Sequence, residues 1–287
     1  MKIGVSGASG QLGQAVVNEI VARGGNEVVA ISRTPKAAAG VEARQGDYDQ
    51  PATLASAYAG LDRLLLIPSA DLAPGVRGTQ LVAAIKAAVA AGVGHIVLMS
   101  AAGTRAQEEP AIGAPYWTAE QTLIKAAPAW TILRMNYYAE SLVQEAQMSA
   151  QSGALTGLTE NRVAFVSRAD IAAAAAGILT GEGHAGAIYN ATGTAAVSGA
   201  ERAALIAEVG GFPLGFVTVP EAALASGMTQ MGLPKDVVNT VISIQRDFSN
   251  GAFDIVTGDI EKLAGRPPKA LREVLIPLLQ ADAAGKS

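Results

Sequence analysis

Three glycines lie three residues apart near the amino terminus, at Gly7, Gly10 and Gly13, immediately before an apolar segment. Between a strand and a helix this spacing suits phosphate binding, because the first glycine permits a tight turn and the second lets a phosphate approach the backbone. The third lets the helix pack on the strand, and the first N–H groups of the helix then face the phosphate. The alternative is a tight turn that binds nothing. The spacing predicts a dinucleotide-binding loop whose contacts come from Gly7, Ser9, Gly10, Gln11, Leu12 and Gly13.

Basic residues, not acidic ones, follow the second apolar strand-like run, in the segment AISRTPKA. A site that prefers NAD places an acidic residue about twenty positions beyond the glycine loop. Arg33 and Lys36, with the hydroxyls of Ser32 and Thr34, can instead hold a 2′-phosphate by charge-assisted hydrogen bonds. The segment therefore predicts NADP(H) over NAD(H). A solvated basic turn is the alternative.

The ends of the third and fourth predicted strands carry further candidate cofactor contacts. Asp47 and Tyr48 end the third strand, where a carboxylate can accept the adenine amino group and an aromatic ring can flank the adenine. Helix capping already explains the neighbouring Asp49, so a local turn is the alternative for this segment. The end of the fourth strand is expected to pass the adenine ribose, through Ile67, Pro68 and Ser69.

A parallel sheet is needed to bring these residues to one edge. Short Val/Ile/Leu runs alternate with alanine-rich amphipathic runs, which is typical of repeated βαβ units. The pattern predicts an α/β fold, a Rossmann doubly wound parallel sheet with a small mainly helical C-terminal lobe. Strands are predicted at roughly 2–6, 27–32, 41–45, 62–67, 95–100 and 130–134, and helices at roughly 11–23, 51–59, 75–91 and 116–127.

The regular alternation loosens after about residue 135. The segment SGALTGLTENRVAFVSRADIAAAAAGIL predicts a short extended pair and then a helix, with Ser167 and Asp170 spaced like a capping box. Ser198 and Glu201 predict a second helix start, and a strand is expected near 216–219 among short helices. We expect residues 1–135 to form the NADP-binding domain, with about 160–192 returning to it, and residues 136–287 to form mostly a substrate-binding lobe.

Composition excludes several function classes. The net charge is −4 with only 21 Lys and Arg, which gives nucleic acid little to bind. No apolar run reaches the roughly eighteen residues of a membrane span, and no signal segment precedes the first strand, so a cytoplasmic protein is expected. With no cysteine, and with His95 and His184 far apart, no metal site is predicted and neither histidine receives a catalytic role.

Several segments together resemble the atypical short-chain dehydrogenase/reductase superfamily, and within it the NmrA-like group. They are the glycine loop, Arg33, Gly46-Asp47-Tyr48, AAGVGHIVLMS, LRMNYYAES and SRADIAAAAAGIL. The resemblance is strongest to bacterial NAD(P)H:quinone oxidoreductases and triphenylmethane dye reductases, and it runs nearly end to end. It implies a Rossmann domain that binds NADPH and a small C-terminal lobe that closes over a flat electron acceptor.

One family motif is altered. Members of the superfamily use a Tyr-x-x-x-Lys pair and a Ser or Thr after the fifth strand; here Ser100 takes the latter position, while YWTAE offers Tyr116 with Glu120 and no lysine. A carboxylate on the same helix face would disfavour ionisation of the phenol. Ketone reduction leaves an alkoxide nearly as basic as hydroxide, whose parent water has a pKa of about 15.7. Quinone reduction leaves a phenolate-like anion, whose conjugate acid has a pKa of about 10, like that of tyrosine. The missing lysine therefore favours hydride transfer to a quinone or cationic dye.

The predicted function is an NADPH-dependent oxidoreductase that transfers a hydride to a quinone or similar flat conjugated acceptor, in a possible homodimer. Trp117 and Phe165 either stack on the acceptor or belong to the core, and the core is favoured. Two alternatives stay open: an NADP(H)-binding redox-sensing regulator, and a reductase of a dye or a lignin-derived aromatic. The predicted catalytic residues are Tyr116, Ser100, Asn136 and Tyr137, with Tyr138 beside them; simple packing is the alternative for the last three, and strand capping for Ser100.

Overall fold

The computed structural model describes residues 1–36, 38–149 and 152–284. The strands are β1 Lys2–Ser6, β2 Glu27–Ser32, β3 Val41–Gln45, β4 Arg63–Leu66, β5 His95–Ala101, β6 Trp130–Met135, β7 Ala154–Gly157, β8 Arg162–Val163, β9 Ala187–Ala191, β10 Val197–Ser198 and β11 Gly215–Thr218. The helices are α1 Gln11–Arg23, α2 Leu54–Tyr58, α3 Val76–Ala90, α4 Ala114–Ala126, α5 Ala139–Ser149, α6 Arg168–Thr180, α7 Gly199–Gly210, α8 Glu221–Gln230, α9 Lys235–Ser249, α10 Asp259–Ala264 and α11 Leu271–Ala284, with a 3-10 turn at Pro51–Thr53. Over the residues described, no helix is long and apolar enough to cross a membrane.

Within these ranges, seven strands form one parallel sheet in the order β3-β2-β1-β4-β5-β6-β9. Ile3 of β1 pairs with Val28 of β2 on one side and with Arg63 of β4 on the other. The order of the strands along the chain reverses at β1, and sheets of this type bind ligands beyond the carboxyl ends of the strands at such a point. Because every pairing in this sheet is parallel, those carboxyl ends lie along one edge. The predicted α/β, Rossmann-type fold is confirmed.

The elements predicted up to residue 135 are all found, with ends that differ by at most two residues when the 3-10 turn Pro51–Thr53 is counted with α2. Their apolar periodicity matches their burial: α1 buries one stripe of side chains, whereas all four residues of β4 are buried. The seventh strand, β9, was not predicted individually. Its segment AIYNA has an exposed Ile188 and a buried Tyr189, so it lacks the continuous apolar run of the central strands.

The chain divides into two compact units. The first comprises Met1–Met135, Ala169–Ala191 and Asp259–Arg266, and the second comprises Asn136–Arg168, Thr192–Gly258 and the chain from Pro267 onward.

The second unit holds two small sheets. The predicted extended pair is wrong as a pairing, because β7 pairs with β11 and β8 pairs with β10, each of which lies far along the chain. The expected strand near 216–219 is β11. The capping box at the start of α7 is confirmed, since the side chain of Ser198 accepts from the N–H of Glu201 and the Glu201 carboxylate accepts from the N–H of Ser198.

Candidate functional site

Two of the three glycines, Gly7 after β1 and Gly13 in the first turn of α1, are required by the fold itself. Gly7 has a φ of +91°, in the left-handed region that favours glycine, and a Cβ there would lie 3.1 Å from the Cβ of Ile67. A Cβ on Gly13 would lie 2.3 Å from the carbonyl oxygen of Gly7. Gly7 therefore serves the turn and Gly13 the close packing of helix on loop, which are the roles expected of the first and third glycines.

Gly10 differs, because the backbone and the packing around it would both accept a side chain. Its φ is −77°, and a Cβ would meet only the Gly7 carbonyl oxygen, at an ordinary 3.6 Å. Gly10 is the N-cap of α1, and no side chain caps this helix. Gly10 and Gln11 are both exposed. An uncapped helix start beside a residue without a side chain can receive a phosphate group.

The remaining residues predicted for this loop offer backbone groups more than side chains. Ser9 is exposed, and its carbonyl oxygen accepts the side-chain amide of Gln14 at 3.1 Å. The Leu12 side chain is buried in the core, which leaves only its backbone for a ligand. The loop therefore has the character of a backbone cradle.

Arg33 and Lys36 lie just beyond the carboxyl end of β2, and both are exposed. In the part of the chain that the structure describes, neither side chain is paired with a carboxylate. An exposed guanidinium with no internal partner keeps its donors available for a phosphate.

Asp47 is occupied by the turn that follows β3. Its Oδ1 accepts the N–H of Asp49 at 3.0 Å, and its Oδ2 accepts the side-chain amide of Gln50 at 3.3 Å. Its own N–H donates to the hydroxyl of Thr53 at 3.0 Å. A carboxylate has further lone pairs, so an adenine contact stays a prediction, but the turn alone accounts for Asp47.

Hydrogen bonds tie the ends of β3 and β4 together. The Tyr48 hydroxyl donates to the carbonyl of Ile67 at 3.1 Å, and burial raises the pKa of Tyr48 to about 12. The Ser69 hydroxyl donates to Oε1 of Gln80, whose amide donates to the Asp49 carboxylate at 2.7 Å. The predicted contacts at the end of β4 are all partly exposed: Ile67, Pro68 and Ser69.

Ser100, at the end of β5, has its proton engaged inside the protein. Its hydroxyl donates to Oε1 of Glu120 at 2.6 Å, and Arg134 binds both oxygens of the same carboxylate, at 2.9 and 2.6 Å. Ser100 also lies 3.4 Å from the hydroxyl of Thr104, whose own proton goes to a backbone carbonyl. Ser100 can therefore accept a hydrogen bond from a ligand, but its proton is already committed.

Tyr116, on α4, has a partner that the sequence did not suggest. Its hydroxyl oxygen accepts from Nη1 of Arg77 on α3 at 3.3 Å, and the Arg77 guanidinium lies 5.5 Å from the centroid of its ring. Glu120, which its spacing places on the same helix face as Tyr116, has its carboxylate bound by Ser100 and Arg134. The phenol therefore faces a cation, not a carboxylate.

Asn136 and Tyr137 belong to the second unit, where their polar atoms find partners. The Asn136 amide donates to the carbonyl of Phe253 at 3.1 Å, and its oxygen accepts the N–H of Tyr137 at 2.7 Å. The Tyr137 hydroxyl donates to Glu145 at 2.9 Å. These contacts support the packing alternative, while the catalytic role and the substrate-binding lobe stay predictions.

An aromatic cluster surrounds Tyr137. Its ring meets Phe248 at 5.1 Å between centroids and Phe165 at 6.0 Å, both edge to face. Phe165 is 3% exposed, which confirms the favoured core assignment, while Trp117 is half-buried. Tyr138 lies under the guanidinium of Arg168, 4.9 Å from the ring centroid.

Both histidines have structural partners. His95 Nε2 lies 2.8 Å from the hydroxyl of Thr131, and His184 Nδ1 lies 3.0 Å from the hydroxyl of Tyr189. Among the described residues, no group of three or more His, Cys, Asp and Glu side chains is arranged to hold a metal ion.

The first unit thus brings the glycine loop, Arg33, the Asp47 turn, the β4 loop and Ser100 to the carboxyl edge of one sheet. Sequence reasoning missed Arg77, Gln80 and Glu145. Arg77 had a detectable signal, because it lies on the α3 face that otherwise buries only uncharged side chains, including Leu81, Ala84, Ile85 and Ala88.

Comparisons with known proteins agree with this architecture. The chain matches the model of the NAD(P)H-binding family over residues 7–182. Quinone oxidoreductase 2 of Escherichia coli (strain K12) is 31% identical over 288 residues, covering 98% of this chain and 99% of the relative.

Solved structures show the same likeness in three dimensions. NADPH-dependent quinone oxidoreductase QOR2 from Escherichia coli, complexed with NADPH, has a TM-score of 0.90 at 30% identity, covering 96% of this chain and 99% of that chain. Triphenylmethane reductase from Citrobacter sp., complexed with NADP(H), has a TM-score of 0.85 at 29% identity, with the same coverage. The likeness extends over nearly the whole length of both proteins.

Proposed function

The chain belongs to the NAD(P)H-binding family, and on that premise we propose that it is an NADPH-dependent oxidoreductase that transfers a hydride to a quinone or a similar flat conjugated acceptor. Its similarity to a quinone oxidoreductase over 98% of its length supports this activity. The similarity to a triphenylmethane reductase supports flat conjugated acceptors as the substrate class.

The observation that carries the proposal is Gly10. Neither its φ nor its packing requires a glycine, yet it lies at the uncapped start of α1. A side chain there would occupy the space in front of the first N–H groups of the helix, where a pyrophosphate binds in folds of this type. A phosphate group bound in front of this helix would account for the glycine.

Arg33 supports NADPH as the preferred cofactor. It follows β2, is exposed, and is unpaired within the described ranges. A guanidinium binds a phosphate through two parallel charge-assisted hydrogen bonds, whereas a ribose hydroxyl offers it no charge. Lys36 adds a second cation three residues later.

Residues of the chain bind the cofactor, and one of them supplies a proton to the reduced acceptor. The N–H groups at the start of α1 hold the pyrophosphate, and Arg33 holds the 2′-phosphate. When bound, the reduced nicotinamide supplies the hydride. The Tyr116 hydroxyl, which accepts from Arg77 and donates to no described residue, has a proton available for the oxygen of the reduced acceptor. The Ser100 hydroxyl can only accept a further hydrogen bond, since its own proton is held by Glu120, so its partner must be a donor group and not a quinone oxygen.

Absorbance of the reduced cofactor, followed with a panel of quinones and one triphenylmethane dye, tests this function. Oxidation of NADPH with at least one quinone is expected, with NADH clearly less efficient. Tight NADPH binding without turnover of any acceptor would contradict an enzyme and favour a redox-sensing regulator. If only the dye were reduced, NADPH would still be the proposed cofactor, but the acceptor would be a dye and not a quinone. The cytoplasmic location and the homodimer stay predictions.

A further inference from the structure

Arg77 is a buried cation that the fold does not neutralise. It is 8% exposed, and its Nε donates to the Ser69 carbonyl at 3.1 Å while its Nη1 donates to the Tyr116 hydroxyl oxygen at 3.3 Å. No carboxylate of the described residues is paired with it. Buried arginines are normally paired, because an isolated charge out of water is costly. The surroundings of Arg77 therefore suit a negative charge that forms or binds beside it.

The Tyr116 hydroxyl is the group placed to develop that charge. Its oxygen accepts from Arg77, so its proton points elsewhere, and over the described residues it donates to none. The side chain is 6% exposed, so bulk water has little access to the phenol. If the proton leaves, the phenolate oxygen is already in contact with a guanidinium.

The one carboxylate on α4 already has its own partners. Glu120, one turn after Tyr116, forms an ion pair with Arg134 on β6 and accepts the hydroxyl proton of Ser100. Arg77, on α3, is therefore the cation in contact with Tyr116. The family pair instead has a lysine four residues after the tyrosine, where this chain has Glu120.

We propose that Arg77 is a positioning residue, which orients the Tyr116 hydroxyl and holds the negative charge left there when its proton passes to the acceptor. The acceptor gains a hydride from NADPH, which leaves NADP⁺, and its oxygen takes the Tyr116 proton. The Tyr116 phenolate then regains a proton from water that enters once the reduced product has left. This role rests on the proposed function, since NADPH supplies the hydride. Through its bond to Ser69, Arg77 also connects Tyr116 to the predicted cofactor loop after β4.

A double-mutant cycle tests this role, using Arg77→Met, Tyr116→Phe and the double variant with 1,4-benzoquinone at saturating NADPH. Each single variant is expected to lower kcat about tenfold, below the usual range for a general acid because a reduced quinone is only weakly basic. The double variant is expected to be no slower than either, because both changes remove one function. The Kd for NADPH, measured by protein fluorescence, is expected to change much less than kcat. Arg77→Lys is expected to recover part of kcat, and it replaces Arg77→Met in the cycle if that variant does not fold.

Gln80→Met is the matched control, because Gln80 lies on the same helix and supports the same loop through the Ser69 hydroxyl. Its effect on kcat is expected to add to that of Tyr116→Phe. An Arg77→Met effect that is equally large in the Tyr116→Phe background would overturn the role of Arg77 and leave the proposed function intact. A wild type that does not oxidise NADPH with benzoquinone would overturn the proposed function and this role with it.

Discussion

Tyr116 and Tyr137 carry the same phenol in two different surroundings. In the first unit, the Tyr116 oxygen accepts from a buried cation and its proton, as far as the chain is described, has no acceptor. In the second unit, the proton of Tyr137 goes to Glu145, and its ring is enclosed by Phe165, Phe248 and Phe253. A side chain whose polar groups are hydrogen-bonded within the protein stabilises the fold, whereas one with an unused donor can bind a ligand.

The same contrast separates other candidates within the first unit. Neither the φ of Gly10 nor its packing in the described chain requires a glycine, and no carboxylate of the described residues pairs with Arg33, whereas the Asp47 carboxylate and the Ser100 proton bind neighbouring groups. We therefore expect uncommitted groups at the ends of the strands to mark the cofactor site more sharply than residue type does.

The largest expected effect is at Gly10. Gly10→Ala is expected to raise the Kd for NADPH about a hundredfold or more, since displacing the phosphate loses several charge-assisted hydrogen bonds of about 1.5–3 kcal/mol each. Its unfolding midpoint is expected to stay near wild type. Gly13→Ala is the matched control: it lowers the free energy of unfolding, because its Cβ would lie 2.3 Å from the Gly7 oxygen. Unchanged NADPH affinity in a folded Gly10→Ala variant would remove the main support for the cofactor site.

Arg33 is tested by comparing the Kd for NADPH with the Kd for NADH. Arg33→Ala is expected to raise the Kd for NADPH about tenfold to a hundredfold, the value of a charge-assisted hydrogen bond. The Kd for NADH serves as the internal control and is expected to stay nearly constant, because NADH has no 2′-phosphate. Equal losses for both cofactors, measured by fluorescence titration, would assign Arg33 to the loop structure instead.

Tyr137 is the tyrosine whose proton is already bound within the protein, so its substitution is expected to affect stability. Tyr137→Phe removes the donor to the partly buried Glu145 and is expected to lower the free energy of unfolding by about 1 kcal/mol, the lower end of the cost of an unsatisfied acceptor. Denaturant unfolding measures this change. An unaltered stability would show that the Glu145 contact does not hold the second unit together.

The smallest expected effect is a pH dependence of stability. Burial raises the pKa of Glu145 in the folded protein, so the fold favours its neutral form. This contribution is full below the pKa of the unfolded chain and is lost as pH rises through the raised folded value. Wild type is therefore expected to lose stability relative to Glu145→Gln as the pH rises from about 4.3, the ordinary pKa of a glutamate, towards neutral. A difference that stays constant across this range would mean that Glu145 does not titrate abnormally.

The fold of the first unit was predictable because its signals are local. Each strand or helix up to residue 135 has its own apolar period, and the glycine loop lies between two such elements. β9 escaped individual prediction because its five residues carry no such period, and β7 and β8 were mispaired because their partners follow much later in the chain. Pairing between distant segments depends on tertiary contacts that no local pattern encodes.

The candidate site divides in the same way. The glycine loop and Arg33 were identified from neighbouring residues, whereas Arg77 meets Ser69 and Tyr116 only after α3 and α4 pack together. The partners of Glu120 were hidden for the same reason: its spacing shows only the helix face that it shares with Tyr116, while its partners come from β5 and β6. A charged residue on the inner face of α3 was the available sign of a polar site.

The most direct test of this account compares kcat of Tyr116→Phe and Tyr137→Phe, each with 1,4-benzoquinone at saturating NADPH and normalised to folded protein. Because only the Tyr116 proton is uncommitted, Tyr116→Phe is expected to be slower than Tyr137→Phe by about tenfold. Equal rates, or a slower Tyr137→Phe, would contradict the claim that uncommitted groups mark the reacting site.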